Sequence, residues 1–192
     1  MSVAIRRPMM IEEFLAWEEG QGLRWEFDGF QPVPRNSGTV GHGVVQGNLL
    51  VALGARLRGD PCQVYTSGLK IHVAGSIRYP DAFVVCTRVP RNATGVTDPV
   101  VVFEVLSPST ASIDHFVNNQ EYRDTPSIRR YVSLEQDVIG ATVFARAGDD
   151  WVAHIVGGDG MLAVPEIGID VPLAELYEGV EFETPAPPAQ ES

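Results

Sequence analysis

PVVVFEVLSPST, residues 99–110, reads as a strand buried on both faces with one carboxylate inside it. Every residue from Val100 to Leu106 except Glu104 is Val, Phe or Leu, and an apolar run without alternation marks a strand covered on both sides. A carboxylate in such a strand costs on the order of several kcal/mol unless it is paired, hydrogen-bonded or bound to a metal. Glu104 therefore requires a partner.

IRYPDAFVVC, residues 77–86, poses the same question one strand earlier, because Asp81 follows Tyr79-Pro80 and opens the apolar stretch AFVVC. If the two strands are neighbours in one sheet, side chains on a shared face lie roughly 5 Å apart. That is close enough for Asp81 and Glu104 to ligate one divalent cation, with magnesium the natural choice for an oxygen site. The same residues admit a plainer reading, in which Glu104 pairs with Arg78 or Arg123 and Asp81 caps the turn after the proline. Glu26, in RWEFDG, is a third candidate carboxylate, or else a solvent-facing residue on an edge strand.

Met10, Phe14 and Trp17 recur at helical spacing beside four glutamates, which predicts a short amphipathic helix over residues 9–19 stopped by Gly20. LRWEFDGFQPV alternates as a strand with a turn near Asp28-Gly29, and Val45, Leu49, Leu50, Leu53 and Leu57 form the apolar stripe of a second helix from His42 to Leu57. CQVYTS, LKIHVA, RRYVSL, GATVFAR and WVAHIV read as strands, and SIDHFVNNQEYRD as a helix closed by Pro126. Ser107, Ser109 and Thr110 form a turn into that helix, since no histidine at a telling spacing supports a nucleophilic serine. Strands predominate, with two or three helices inserted. One domain over residues 1–182 is expected, followed by a disordered, Pro-rich acidic tail over 183–192.

Composition narrows the partners. No apolar run approaches the roughly 18 residues of a membrane span, and MSVAIRRPMMIEEF lacks the long apolar stretch of a secretory signal, so the expectation is a cytoplasmic protein with no membrane partner. The net charge of −11 argues against nucleic acid, but eight acids and no base lie from Asp159 onward, which leaves residues 1–158 at −3. The acidic end could compete with nucleic acid for the body of the protein. Cys62 and Cys86, each in an apolar run, read as two buried reduced thiols. Lys70 is the only lysine among fourteen basic residues.

Taken in order, the first helix, RWEFDG, His42 at the head of a helix, RYPDAFVV, PVVVFEVLSPST, Asp114, EYR and SIRRYV resemble the putative restriction endonuclease family, often called Uma-type, of the PD-(D/E)XK nuclease-like superfamily. The resemblance covers about residues 11–145 and implies an α/β, α+β-like fold: a restriction-endonuclease-like mixed β-sheet flanked by helices. It implies Asp81 and Glu104 as ligands of Mg²⁺ or Mn²⁺, helped by the backbone carbonyl of Val105, with Glu26 as an auxiliary carboxylate. His42 stands where the family often has a histidine, at the site edge or in a cap.

One expected residue is missing. The superfamily's lysine normally stands two residues beyond the glutamate, where this chain has Leu106, and the alternative position on the following helix aligns with Asn118. Asn118 can hydrogen-bond a water or phosphate but carries no charge, and losing one such charge costs about 10²- to 10³-fold in rate. Lys70 and Arg123 are the candidate substitutes. Two functions remain open: a magnesium-dependent DNA endonuclease acting as a homodimer, or a catalytically silent nuclease fold that binds nucleic acid or protein.

Overall fold

The computed structural model describes residues 8–35, 38–106 and 114–182. The tail from 183 and the Ser107, Ser109 and Thr110 turn lie outside the described residues. The elements are α1 (Ile11–Glu18), β1 (Trp25–Phe27), β2 (Pro32–Pro34), α2 (Val40–Arg56), β3 (Gln63–Thr66), β4 (Lys70–Val73), β5 (Ser76–Arg78), β6 (Ala82–Val85), β7 (Gly95–Val96) and β8 (Val101–Val105). They continue as α3 (Asp114–Asp124), β9 (Arg130–Leu134), β10 (Gly140–Ala147), β11 (Asp150–Gly157), β12 (Met161–Val164) and β13 (Ile169–Pro172).

β8 lies inside a six-stranded sheet ordered β11-β10-β9-β8-β6-β3, parallel to β9 and antiparallel to β6. Both of its faces are covered, as its unbroken apolar run demands. On one face Val101, Phe103 and Val105 pack with Val45, Leu49, Ala52 and Leu53 of α2. On the other, Val102 joins Phe83, Val85 and Tyr131 against Ile71 and Val73 of β4 and Tyr122 of α3. Each such side chain contributes about 1.5–3 kcal/mol when fully buried. The fold is a mixed sheet flanked by helices, with a second sheet ordered β2-β1-β5-β4-β7 and a β12-β13 hairpin beside it.

IRYPDAFVVC is broken where a single strand was expected. β5 belongs to the five-stranded sheet and β6 to the six-stranded one, because Pro80 has no N–H to continue a ladder. The β4-β5 hairpin turns on Ala74 and Gly75, at φ 38° and 85°, the doubly positive pair of a tight hairpin. Asp81 consequently stands at the crossing between the two sheets. Thr39 caps α2 by accepting the His42 N–H at 3.2 Å, which settles where that helix starts and so where His42 sits.

Two expectations are corrected. Cys62 and Cys86 form a disulfide and not two thiols. β3 pairs antiparallel with β6 in a register that matches Gln63 to Val85, so the next residues outward face each other across the ladder, a pairing invisible without knowing which strands are neighbours. Over its described residues the acidic C-terminal region is also no free competitor for the body. Leu162, Val164, Ile167, Val171, Leu173, Leu176 and Tyr177 belong to the same core as α2. The Tyr177 hydroxyl lies 2.7 Å from the Glu135 and Gly140 carbonyls. No helix among the described residues is long and apolar enough to cross a membrane.

Candidate metal centre

The register of β6 against β8 matches Ala82 to Phe103, so one step outward Asp81 stands opposite Glu104. This is the adjacency that makes a shared cation possible. Asp81 is 3% exposed and held at both oxygens: Oδ1 lies 3.0 Å from His42 Nε2 and accepts from Gln46 Nε2 at 3.2 Å, while Oδ2 accepts the Val105 N–H at 2.8 Å. His42 and Gln46 are four residues apart on α2 and share a face. Gln46 also donates to the Asp81 carbonyl at 3.0 Å, so the first turns of α2 hold both backbone and side chain of the aspartate.

Glu104 is half-buried at the end of β8. Its Oε1 accepts from the Tyr122 hydroxyl at 2.6 Å, and no described residue donates to Oε2. Burial and the Asp81 charge hold the Glu104 carboxyl well above the usual carboxylate range, with the Glu26 charge adding to the rise. The Tyr122 hydrogen bond and Arg35 oppose it without reversing it. Tyr122 and Tyr131, buried beside this carboxyl, are likewise pushed up by burial and by the Glu104 charge. The physical content is a surplus of negative charge at the sheet end.

The plainer pairings fail on inspection of the arginines. Arg78 binds Glu121 through Nε at 2.7 Å and Nη2 at 2.8 Å, and Glu26 through Nη1 at 3.2 Å. Burial works against its charge, but the Glu121 hydrogen bonds and the Glu121 and Glu26 charges prevail and raise its pKa. Glu26 is thus neither solvent-facing nor on an edge: β1 lies between β2 and β5, and its other oxygen accepts the Tyr79 N–H at 3.0 Å. Arg123 borders a 370 Å³ cavity with Gln120, Asp124, Arg146 and Trp151.

Lys70 is committed elsewhere. Its ammonium pairs with Glu18, which also accepts from the Tyr79 hydroxyl at 2.6 Å. Asn118 falls within α3, but its side chain lies outside the described residues. Among the described residues, the arginine that does approach is Arg35, whose Nη2 is 3.6 Å from Asp81 Oδ1. Arg35, Gln46 and Tyr122 are the site side chains that the sequence did not assign; Gln46 stands one turn after His42 and Tyr122 lies in EYR, whereas Arg35, in PVPRNSG, carried no signal.

No group of three or more His, Cys, Asp or Glu side chains poised to hold a metal occurs among the described residues. Two carboxylates suffice for Mg²⁺, which keeps several waters and is commonly held by one or two carboxylates plus substrate phosphate. The Asp81–Glu104 pair, with one glutamate oxygen lacking a described donor, fits that demand.

Comparison with known proteins places the chain. A family model, Uma2, described as "Putative restriction endonuclease", matches residues 11–174. Two uncharacterized proteins of Synechocystis sp. are similar: one 29% identical over 175 residues, covering 89% of this chain and 92% of the relative, the other 25% identical over 165 residues, covering 83% and 93%. A crystal structure from Anabaena variabilis, titled a putative nuclease belonging to DUF820, superposes with a TM-score of 0.73 at 15% identity, over 89% of this chain and 98% of that one. That likeness shows a shared fold.

Proposed function

The chain belongs to the Uma2 family of putative restriction endonucleases, and on that premise we propose that it is a metal-dependent DNA endonuclease that hydrolyses phosphodiester bonds. The observation that carries this reading is the facing of Asp81 and Glu104 across the β6-β8 ladder with no cation among the described residues to balance both. The fold shared with the Anabaena protein supports it. Mg²⁺ or Mn²⁺ would be held by Asp81 and Glu104 with the Val105 carbonyl, and when bound it supplies charge neutralisation at the phosphoryl oxygens and a more acidic water.

The chain's own residues prepare that site. His42, Gln46 and the Val105 N–H hold the Asp81 carboxylate in one orientation, and Tyr122 fixes one oxygen of Glu104. Glu26, held by Arg78 and the Tyr79 N–H, lends negative charge to the site. In the overall reaction a water oxygen bonds to phosphorus and one P–O ester bond breaks. The water gives up a proton and the departing alkoxide takes one, leaving a phosphate monoester and a hydroxyl end. A homodimer would present two such sites to two strands.

The competing reading, a silent nuclease fold used for binding, draws on Leu106 at the expected lysine position and on the engagement of Lys70 by Glu18. Plasmid cleavage by the purified protein with Mg²⁺ or Mn²⁺, against EDTA and an Asp81→Asn/Glu104→Gln double variant, separates the two. Metal-dependent nicking that the double variant lacks is the expected result. Absence of cleavage with either metal, in a protein that binds DNA, establishes the silent module instead.

A further inference from the structure

We propose that Arg35 is the phosphate-binding cation of this site, contacting the non-bridging oxygens of the bond to be cut. The inference rests on the nuclease reading above and begins from the positive charges around the acid pair. Lys70 is taken up by Glu18, and Arg78 spends all three of its nitrogens on Glu121 and Glu26. Arg78 has no nitrogen left to offer a substrate, and the Lys70 ammonium, 12% exposed on the wall of the neighbouring cleft, is drawn against Glu18.

Arg35 differs in each respect. Among the described residues its one ion-pair contact is the approach to Asp81 Oδ1 at 3.6 Å, beyond hydrogen-bond length, and its side chain remains 29% exposed. A guanidinium carries five N–H donors in a planar fork, so most of them stay free. They face an open cleft of about 920 Å³ whose walls include Arg24, Trp25, Tyr79 and Arg35. Arg35 is therefore the described residue that approaches Asp81 of the acid pair and also lines the cleft.

The chemistry matches the placement. A phosphodiester in transit to hydrolysis accumulates negative charge on its non-bridging oxygens, and a guanidinium fork meets two such oxygens with two parallel N–H bonds. The role of such a fork is electrostatic stabilisation, with no part in proton transfer. Arg24, exposed and lying over the Tyr79 ring at 5.9 Å, stands further along the same wall and would meet the backbone away from the scissile bond.

The test uses Arg35→Ala and Arg35→Lys in the full chain, with the thermal midpoint of each compared with the unmodified protein to confirm folding. In metal-dependent plasmid cleavage, Arg35→Ala should lower kcat by about 10²- to 10³-fold, as loss of one preorganised charge-stabilising donor does. Added guanidinium ion should restore part of that loss, which a merely structural defect would not allow. Arg35→Lys should fall between the two.

A second arm does not depend on turnover. Binding of a labelled DNA duplex in Ca²⁺, followed by fluorescence anisotropy over a salt series, should show weaker affinity for Arg35→Ala. The slope of log affinity against log salt should be reduced by about 0.9, the value for one phosphate contact. An unchanged slope together with full cleavage by Arg35→Ala overturns the proposal while leaving the nuclease reading intact. Salt-dependent binding that loses one contact in Arg35→Ala, in a protein that never cleaves, upholds the phosphate contact and overturns the nuclease reading instead.

Discussion

Two clusters of charge sit a few residues apart in this fold, and their bookkeeping differs. Around Arg78, every nitrogen of a 4%-exposed guanidinium meets a carboxylate oxygen, and Ser76 donates to Glu121 at 2.8 Å to complete the shell. Around Asp81 and Glu104, two carboxylates face each other and the nearest described arginine stays at 3.6 Å. The first cluster is closed and joins β5, β1 and α3. The second is open and carries excess negative charge, which a fold keeps only where a cation or a reaction repays the cost. Charge saturation, more than burial, tells a structural ion cluster from a candidate site.

The comparison breaks most visibly at Arg78. Arg78→Met leaves the half-buried Glu26 and Glu121 without a counter-charge and should destabilise the protein by about 3–5 kcal/mol, the usual cost of breaking a buried pair from one side. Urea unfolding measures it, and a loss below about 1 kcal/mol would mean that the cluster is not the closed ion pair described.

His42→Ala sharpens the other side. It removes the 3.0 Å contact to Asp81 Oδ1 and should weaken metal affinity or cleavage by about 10- to 100-fold, as loss of a group orienting a ligand does. Stability should change far less than in Arg78→Met. Isothermal titration with Mn²⁺ reads the affinity directly, and an unaltered value would remove His42 from the site.

Arg56 and Glu175 provide the surface reference. Their bidentate contact, at 2.8 and 2.7 Å, is more exposed, at 28% and 37% of the side chains, so Glu175→Gln should cost no more than about 1 kcal/mol. The hydrogen bond from Arg56 lowers the Glu175 pKa from its ordinary 4.5. A depressed folded-state value contributes stability that is present above 4.5 and disappears as the pH falls through the folded value. Denaturation curves of the variant and the parent should therefore separate at pH 7 and converge at acid pH.

Much of this was legible in the chain. The unbroken apolar run around Glu104 announced a strand covered on both faces, and YPD ahead of a second such run announced a paired carboxylate, because burying charge is costly enough to leave a mark in sequence. What stayed hidden depends on which strands are neighbours. Pro80 splits one expected strand between two sheets, and the β3-β6 register joins Cys62 to Cys86. Lys70 looked available as the lone lysine, but its partner Glu18 comes from a helix 52 residues away. Arg35 reaches Asp81 from a loop with no periodicity to betray it.

The most direct test of the account is thermal unfolding of the parent protein and Glu104→Gln at neutral pH, each with EDTA and with Mn²⁺. If Asp81 and Glu104 are an acid pair awaiting a cation, the metal-free variant should be the more stable, with a midpoint about 2–4 °C higher for each kcal/mol of repulsion removed. Mn²⁺ should then raise the parent's midpoint and leave the variant's unchanged. A metal-free variant less stable than the parent, together with no response of the parent to Mn²⁺, would contradict it.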